Sequence, residues 1–472
     1  MTDIPPPLEY ASPNPEPQDA PEQSPVPALI SWCIIICCVV FVMYRVSRAY
    51  KLAAEKGIEN PSSELQIQFL GKAAVGFKVL VPTPTSNPTT KPTSQPVPPA
   101  NAQQFITDMD KNAKTPKEKA RVAMAVGELL GGDAALKRID ELEKSDPPEE
   151  TKKDLAVLRT IYESSGAAAD SEAKQRLIDR HAFFGRLASA YNLPANDPER
   201  MRVLADARTS AIVLTVLGII VLLLLVVILV AVITAIVLAA LGVFKRVYQR
   251  QPWANSAYLE AFAIWLVGFI LVSRLFARLK LESLAWEWIL ILFIPLTLWW
   301  IRRRGVPADQ ARVGLGWYWG RGPHIEIPLG IFGYLAGVPV IVVGFVISMQ
   351  LIKHAGTSPM HPIQQMLQGD KWHVLNLYGI ACVFAPILEE TMFRGALFNH
   401  MRRRWGWLIS ASVVAFIFAA IHPQGWTLIP ALGSIAIVLA ALREWRGSLW
   451  APVTAHAMNN FLVLSLALMA AR

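Results

Sequence analysis

The sequence predicts an all-α fold: a polytopic transmembrane helical bundle with a single N-terminal span and a small soluble helical domain. Three observations carry this. Hydrophobic residues make up 53% of the chain against 17% charged, and mean hydropathy is positive. Apolar runs of membrane-crossing length recur between short polar loops. Several of the 15 tryptophans stand at the ends of those runs (Trp299, Trp300, Trp405, Trp407, Trp450), where amphipathic rings prefer the interface. A soluble enzyme of 472 residues would carry more charge and fewer unbroken apolar stretches.

Residues 1–28 hold no Lys or Arg, several prolines and the acids Asp3, Glu9, Glu16, Asp19 and Glu22, which reads as a disordered acidic tail. A cleaved leader would open with a basic region, so the apolar run at 29–46 reads as a retained transmembrane helix. Residues 47–101 form a juxtamembrane segment ending in "PTPTSNPTTKPTSQPVPP", whose composition favours an extended, solvated spacer. From 102 to 208, apolar residues recur at three- and four-residue spacing between breakers, predicting a soluble domain of several helices with nothing catalytic in it. Residues 209–254 comprise a long transmembrane helix and a basic loop. The run "AIVLTVLGIIVLLLLVVILVAVITAIVLAALGVF" has no turn signal at its middle and would be roughly 50 Å long as one helix. Further spans are expected near 256–277, 284–301, 327–352, 374–399, 405–422, 427–443 and 449–470, about nine in all.

The net charge of +9 sits largely in short loops: Lys245, Arg246 and Arg250; Arg302 to Arg304 with Arg312 and Arg321; Arg402 to Arg404; Arg443 and Arg446. Alternation of spans puts all four loops on one side, which the positive-inside rule makes cytoplasmic. That explains the charge without phosphate binding, so no nucleic-acid partner is expected. The helical domain would then lie on the opposite side. The cysteines, Cys33, Cys37, Cys38 and Cys382, lie within apolar spans as small hydrophobes, at no disulfide or zinc spacing.

A few polar side chains interrupt the last spans. Glu389, Glu390 and Arg394 lie in "PILEETMFRGAL", His422 in "FIFAAIHPQG", and His456 and Asn460 in "VTAHAMNNF". Charge in hydrocarbon costs several kcal/mol unless paired or wet. Glu390 and Arg394, at i and i+4, can pair on one face, and His456 and Asn460 share a face by the same spacing. Glu389 points about 100° away from Glu390, so the two carboxylates need not do the same work. Each feature also has a structural reading: a neutralised ion pair, a histidine capping a helix beside Pro423, or interhelical hydrogen-bond glue. Taken together, Glu, His, His and Asn are the inventory of a general base, a proton relay and an oxyanion donor. His181, His324, His354, His361, His373 and His400 match no common face or metal spacing.

In order on membrane helices, Glu-Glu-x-x-x-Arg at 389–394, Phe-x-x-x-His at 418–422 and His-x-x-x-Asn at 456–460 resemble the three motifs of the CPBP family. These are the CAAX prenyl endopeptidase-like (Abi) intramembrane proteases, and the resemblance covers residues 255–472. It implies hydrolysis of peptide bonds in a membrane-associated protein or peptide. Glu389 would be the general base on a water also held by His422; His456 and Asn460 would stabilise the oxyanion; Glu390 and Arg394 would orient the site. A metal-free mechanism is favoured, because Asn is a poor zinc ligand and no local His-x-x-x-His pair exists. Zinc at Glu389, His422 and His456 is the alternative. The expected setting is a bacterial cell membrane, with the 102–208 domain available to a protein partner. Two other classes remain: a non-catalytic membrane scaffold on the same fold, and a transporter using Glu389 and the histidines as a proton relay, for which no inverted repeat is visible.

Overall fold

The computed structural model describes residues 24–55, 61–80, 102–164, 170–248, 256–279, 284–355 and 370–471. Most of the acidic tail, the Pro/Thr-rich spacer, Arg250 and His361 fall outside them. No strand occurs among the described residues. The chain divides into two compact units: one centred on Lys51–Val230, the other joining the first helix to Ala231–Pro359 and Gly369–Leu464.

In the first unit, helices α2 (Pro61–Leu80), α3 (Ala102–Asn112), α4 (Pro116–Leu130), α5 (Gly132–Glu143), α6 (Glu149–Glu163), α7 (Ser171–His181) and α8 (Phe183–Ser189) share one apolar core with the first turns of α9 (Pro198–Ala240). That core includes Ile67, Ala74 and Val75 of α2, a helix that composition alone had left in the juxtamembrane segment. Small residues mediate its packing: a methyl on Gly76 would stand 2.0 Å from the Ala207 carbonyl oxygen. Such a face carries no periodic stripe of large side chains for the sequence to display. Helix α4 starts on a capping box, with the Thr115 hydroxyl accepting from the Glu118 N–H and Glu118 accepting from the Thr115 N–H. Buried Glu128 is neutralised by Arg200 through two bonds of 3.0 and 3.1 Å and by Lys78. His181 is fully buried, 3.0 Å from Asp154, and burial pushes its pKa below the ordinary value.

Among the described residues, seven helices are long and apolar enough to cross a membrane. The first is the apolar part of α1 (Val26–Glu55), and the second is α9, a single 43-residue helix with no hairpin in the long run. The others are α10 (Ala257–Arg278), α13 (Pro323–Ala355), the interrupted α14 (Lys371–Arg404), α16 within Trp426–Arg446, and α17 (Trp450–Ala471, apolar through Leu468). Between them lie α11 (Phe293–Arg303), α12 (Ala308–Leu315) and α15 (Trp407–Ala420). The α-helical part of α16 is Ile429–Arg446.

Two of the nine expected spans are therefore shorter than composition suggested. Residues 284–301 begin as a 3-10 stretch, Leu284–Leu292, before α11. Pro295 has no N–H to donate and its ring crowds the preceding turn, which favours the break between the 3-10 stretch and α11. Helix α15 has 14 residues, roughly 21 Å against a hydrocarbon core of about 30 Å. It stops ahead of Pro423, which disfavours helical backbone at His422.

Helix α13 packs on α16 and α17 through glycines. Added methyls on Gly330, Gly333 and Gly337 would meet Ala451, Leu442 and Val438 at 2.6, 2.3 and 2.6 Å. This is close backbone approach of the kind that holds membrane helices together where the hydrophobic effect cannot.

The four basic loops meet at one end of this unit, where several arginines hold the fold. Arg402 forks onto Glu444 through two 2.8 Å bonds, and Arg446 onto Glu326 at 2.6 and 3.0 Å. Arg443 donates to the Gly314 carbonyl at 2.9 Å, and the Tyr248 hydroxyl donates to Asn399 at 3.1 Å. Charge read from the sequence as a topology signal is thus partly structural.

Candidate active site

Helix α14 is not uniform. An α-helical piece, Ala385–Glu390, carries both glutamates between two π-helical stretches, Ile380–Phe384 and Thr391–Leu397. Such widened turns are rare and concentrate at functional sites.

Glu390 and Arg394 are fully buried and paired, Nη1 to Oε1 at 2.8 Å. The same Oε1 accepts from His456 Nδ1 at 2.8 Å. Arg394 also donates to the Ala436 carbonyl on α16 at 3.1 Å and lies 5.0 Å over the Phe418 ring. Glu390 thus ties α14 to α17, while Arg394 ties it to α15 and α16. Because a carboxylate can only accept, His456 Nδ1 carries the proton in this bond. Nε2 is left facing Glu389, 3.8 Å from its Oε2.

Glu389 sits differently from its neighbour. Its side chain is 24% exposed where that of Glu390 is closed off, while Oε2 of each is a buried oxygen without a hydrogen-bond partner. His422 follows the last turn of α15, and its Nδ1 donates to the Phe418 carbonyl. A neutral imidazole held this way keeps its lone pair on Nε2. Glu389 and His456 are both within electrostatic reach of His422. The Phe418 ring packs 4.3 Å from the His422 ring and 6.0 Å from that of His456.

Asn460 is committed differently from the other polar residues. Its Nδ2 donates to the Ala381 carbonyl at 2.7 Å, and its Oδ1 accepts from Asn459, whose own Oδ1 accepts from the Tyr334 hydroxyl at 3.3 Å. Ala381 needs this donor for a local reason. In the π turn the Ala385 N–H goes to Ile380, and the next residue, Pro386, has no N–H. The carbonyl that proline strands is the one Asn460 takes, leaving one amide N–H on Nδ2 uncommitted.

The structure therefore gathers Glu389, Glu390, Arg394 and His456 directly, places His422 beside them through Phe418, and joins Asn460 through the π turn. Ala436 and Pro386 carried no sequence signal as site residues, whereas Phe418 stood in the Phe-x-x-x-His motif. Phe418 acts through its carbonyl and ring, Ala436 through its carbonyl, and Pro386 through a missing hydrogen. Pro386 was visible in the sequence, but its effect depends on Asn460 arriving from 79 residues away. His181 and His354 are bound elsewhere, to Asp154 and to the Gln350 carbonyl. Among the described residues no three His, Cys, Asp or Glu side chains are grouped closely enough to hold a metal ion.

Residues 371–462, which contain every one of these motifs, match the family model described as type II CAAX prenyl endopeptidase Rce1-like. This segment is similar to the Rce1-like family. With seven helices of membrane-crossing length and apolarity among the described residues, the protein is a multi-pass integral membrane protein. The chain is also similar to an uncharacterized 24.3 kDa protein of Escherichia coli, 30% identical over 141 residues. That match covers 27% of this chain and 64% of the relative, so the chain spans just under two thirds of its length. No solved structure matches.

Proposed function

We propose that the Rce1-like segment is a glutamate-dependent intramembrane endopeptidase that hydrolyses a peptide bond in a membrane-associated protein or peptide. One observation carries the proposal. Beside the closed Glu390–Arg394–His456 network stands a second carboxylate, Glu389, whose side chain is 24% exposed where that of Glu390 is closed off.

In this reading a water lies between Glu389 and the Nε2 lone pair of His422. Glu389 takes its proton as the hydroxide forms a C–O bond to the scissile carbonyl carbon. The carbonyl oxygen becomes an oxyanion. A protonated His456 Nε2 and the second amide N–H of Asn460 donate to it, with the Glu390 carboxylate at Nδ1 stabilising the imidazolium. Collapse breaks the C–N bond, and the proton held by Glu389 passes to the leaving amine. Glu390 and Arg394 act as positioning residues, fixing the tautomer and angle of His456. No step runs through a metal. The relative from Escherichia coli favours a bacterial cell membrane as the setting.

The test is cleavage of candidate membrane-protein substrates by purified protein in proteoliposomes. Glu389→Gln should lower the rate by about 10²–10⁴-fold, the range for removing a general base, without shifting the melting temperature. Activity should survive chelators. If Glu389→Gln cleaves like wild type, the glutamate mechanism fails; if wild type cleaves nothing, the non-catalytic scaffold becomes the better account; a chelator-sensitive enzyme would instead overturn the metal-free route.

A further inference from the structure

On the opposite side of α16 from Arg394, the same unit carries a groove of about 430 Å³ between α13, α16 and the end of α9. Its trough is formed by Phe332, Ala336, Val340, Ile437, Val438 and Ala441, with a floor where Gly333 and Gly337 let α13 close on Leu442 and Val438. From Phe332 to Val340 on α13 it runs roughly 12 Å at the α-helical rise. The two ends differ. Phe332 is near the start of α13 and Trp445 near the end of α16, so one end opens where the basic loops gather. There Arg246, Trp407 and Trp445 border it, with the Arg246 guanidinium 6.0 Å over the Trp407 ring. The other end descends among aliphatic side chains.

The charge at the mouth is uncompensated. Glu444 also borders the groove, but both its oxygens are taken by Arg402. Arg246 and its neighbour Lys245 are exposed, and among the described residues no carboxylate pairs with Arg246. A cation and two indoles above an apolar trough match an acidic headgroup at the interface with its chain in the hydrocarbon.

We propose that this groove binds one anionic phospholipid, its phosphate on Arg246 and one acyl chain along the α13–α16 trough. The inference rests on membrane insertion and groove geometry and stands whether or not the chain is a protease.

The test uses the full-length protein in detergent, with phosphatidylglycerol and phosphatidylcholine of the same chain length as probes. Native mass spectrometry and thermal unfolding read the binding. Phosphatidylglycerol should bind at least tenfold more tightly and raise the melting temperature further. Arg246→Glu should erase that preference, and Ala336→Trp should block binding of either lipid. Should Ala336→Trp fail to fold, the exposed Arg246→Glu variant decides alone. Equal binding of the two lipids, an unchanged preference in Arg246→Glu, or full reproduction of the shift by glycerol phosphate without chains would each overturn the proposal.

Discussion

Glu389 and Glu390 are neighbours in sequence with unlike surroundings. Glu390 is enclosed, with one oxygen shared between a guanidinium and an imidazole at 2.8 Å each. Losing one partner of such a pair leaves a buried charge uncompensated. Glu390→Ala should therefore lower stability by about 3–5 kcal/mol in denaturant titration. The double variant Glu390→Leu/Arg394→Met removes both charges and should recover most of that loss. Its cleavage activity should stay low, since His456 would lack its anchor. Recovery of activity together with stability would show that the pair serves only the fold.

Helix α14 is where backbone chemistry reaches the site. Pro386→Ala restores an N–H that can bond the Ala381 carbonyl, releasing Asn460 from it. The expected outcome is unchanged or slightly higher melting temperature with reduced turnover; equal turnover would detach the π turn from function. In the helical unit the sensitive element is the α6–α7 contact. Burial holds His181 neutral with a lowered pKa, despite Asp154 beside it. The unfolded chain takes up a proton below about pH 6.5, so stability is constant above that value and lost as pH falls through it. Thermal unfolding of the full-length protein from pH 7.5 to 5 should show this fall in wild type and a flatter profile in His181→Asn. Identical slopes would assign the pH dependence to other groups.

For the whole molecule, the open question of sidedness has a direct test. The four basic loops meet at one end of the bundle, and the positive-inside rule makes that end cytoplasmic. An alkaline phosphatase fusion within the helical unit should accordingly be active in a bacterial host. Inactivity there, with activity from a fusion after Arg404, would reverse the orientation. Arg402, Arg443 and Arg446 complicate the rule, because they are buried and bonded to Glu444, to the Gly314 carbonyl and to Glu326. Their charge stabilises one end of the fold as well as marking its side.

The all-helical class, the membrane and the identity of the polar residues were legible in the sequence, because hydrophobic run length and i, i+4 spacing are local properties of the chain. The unbroken helix through the long apolar run was legible for the same reason, but not its start at Pro198, within the segment read as soluble. What required tertiary structure was everything set by partners distant in sequence. The packing of α2 depends on small residues meeting other backbones. The two shortened spans hinge on prolines whose effect is positional. The division of labour between the glutamates follows from which of them His456 and Arg394 enclose. The commitment of Asn460 to the carbonyl that Pro386 strands arises only when two helices meet. Spacing names the residues that can share a face; packing decides which of them is closed off, as Glu390 is, and which keeps part of its side chain exposed, as Glu389 does.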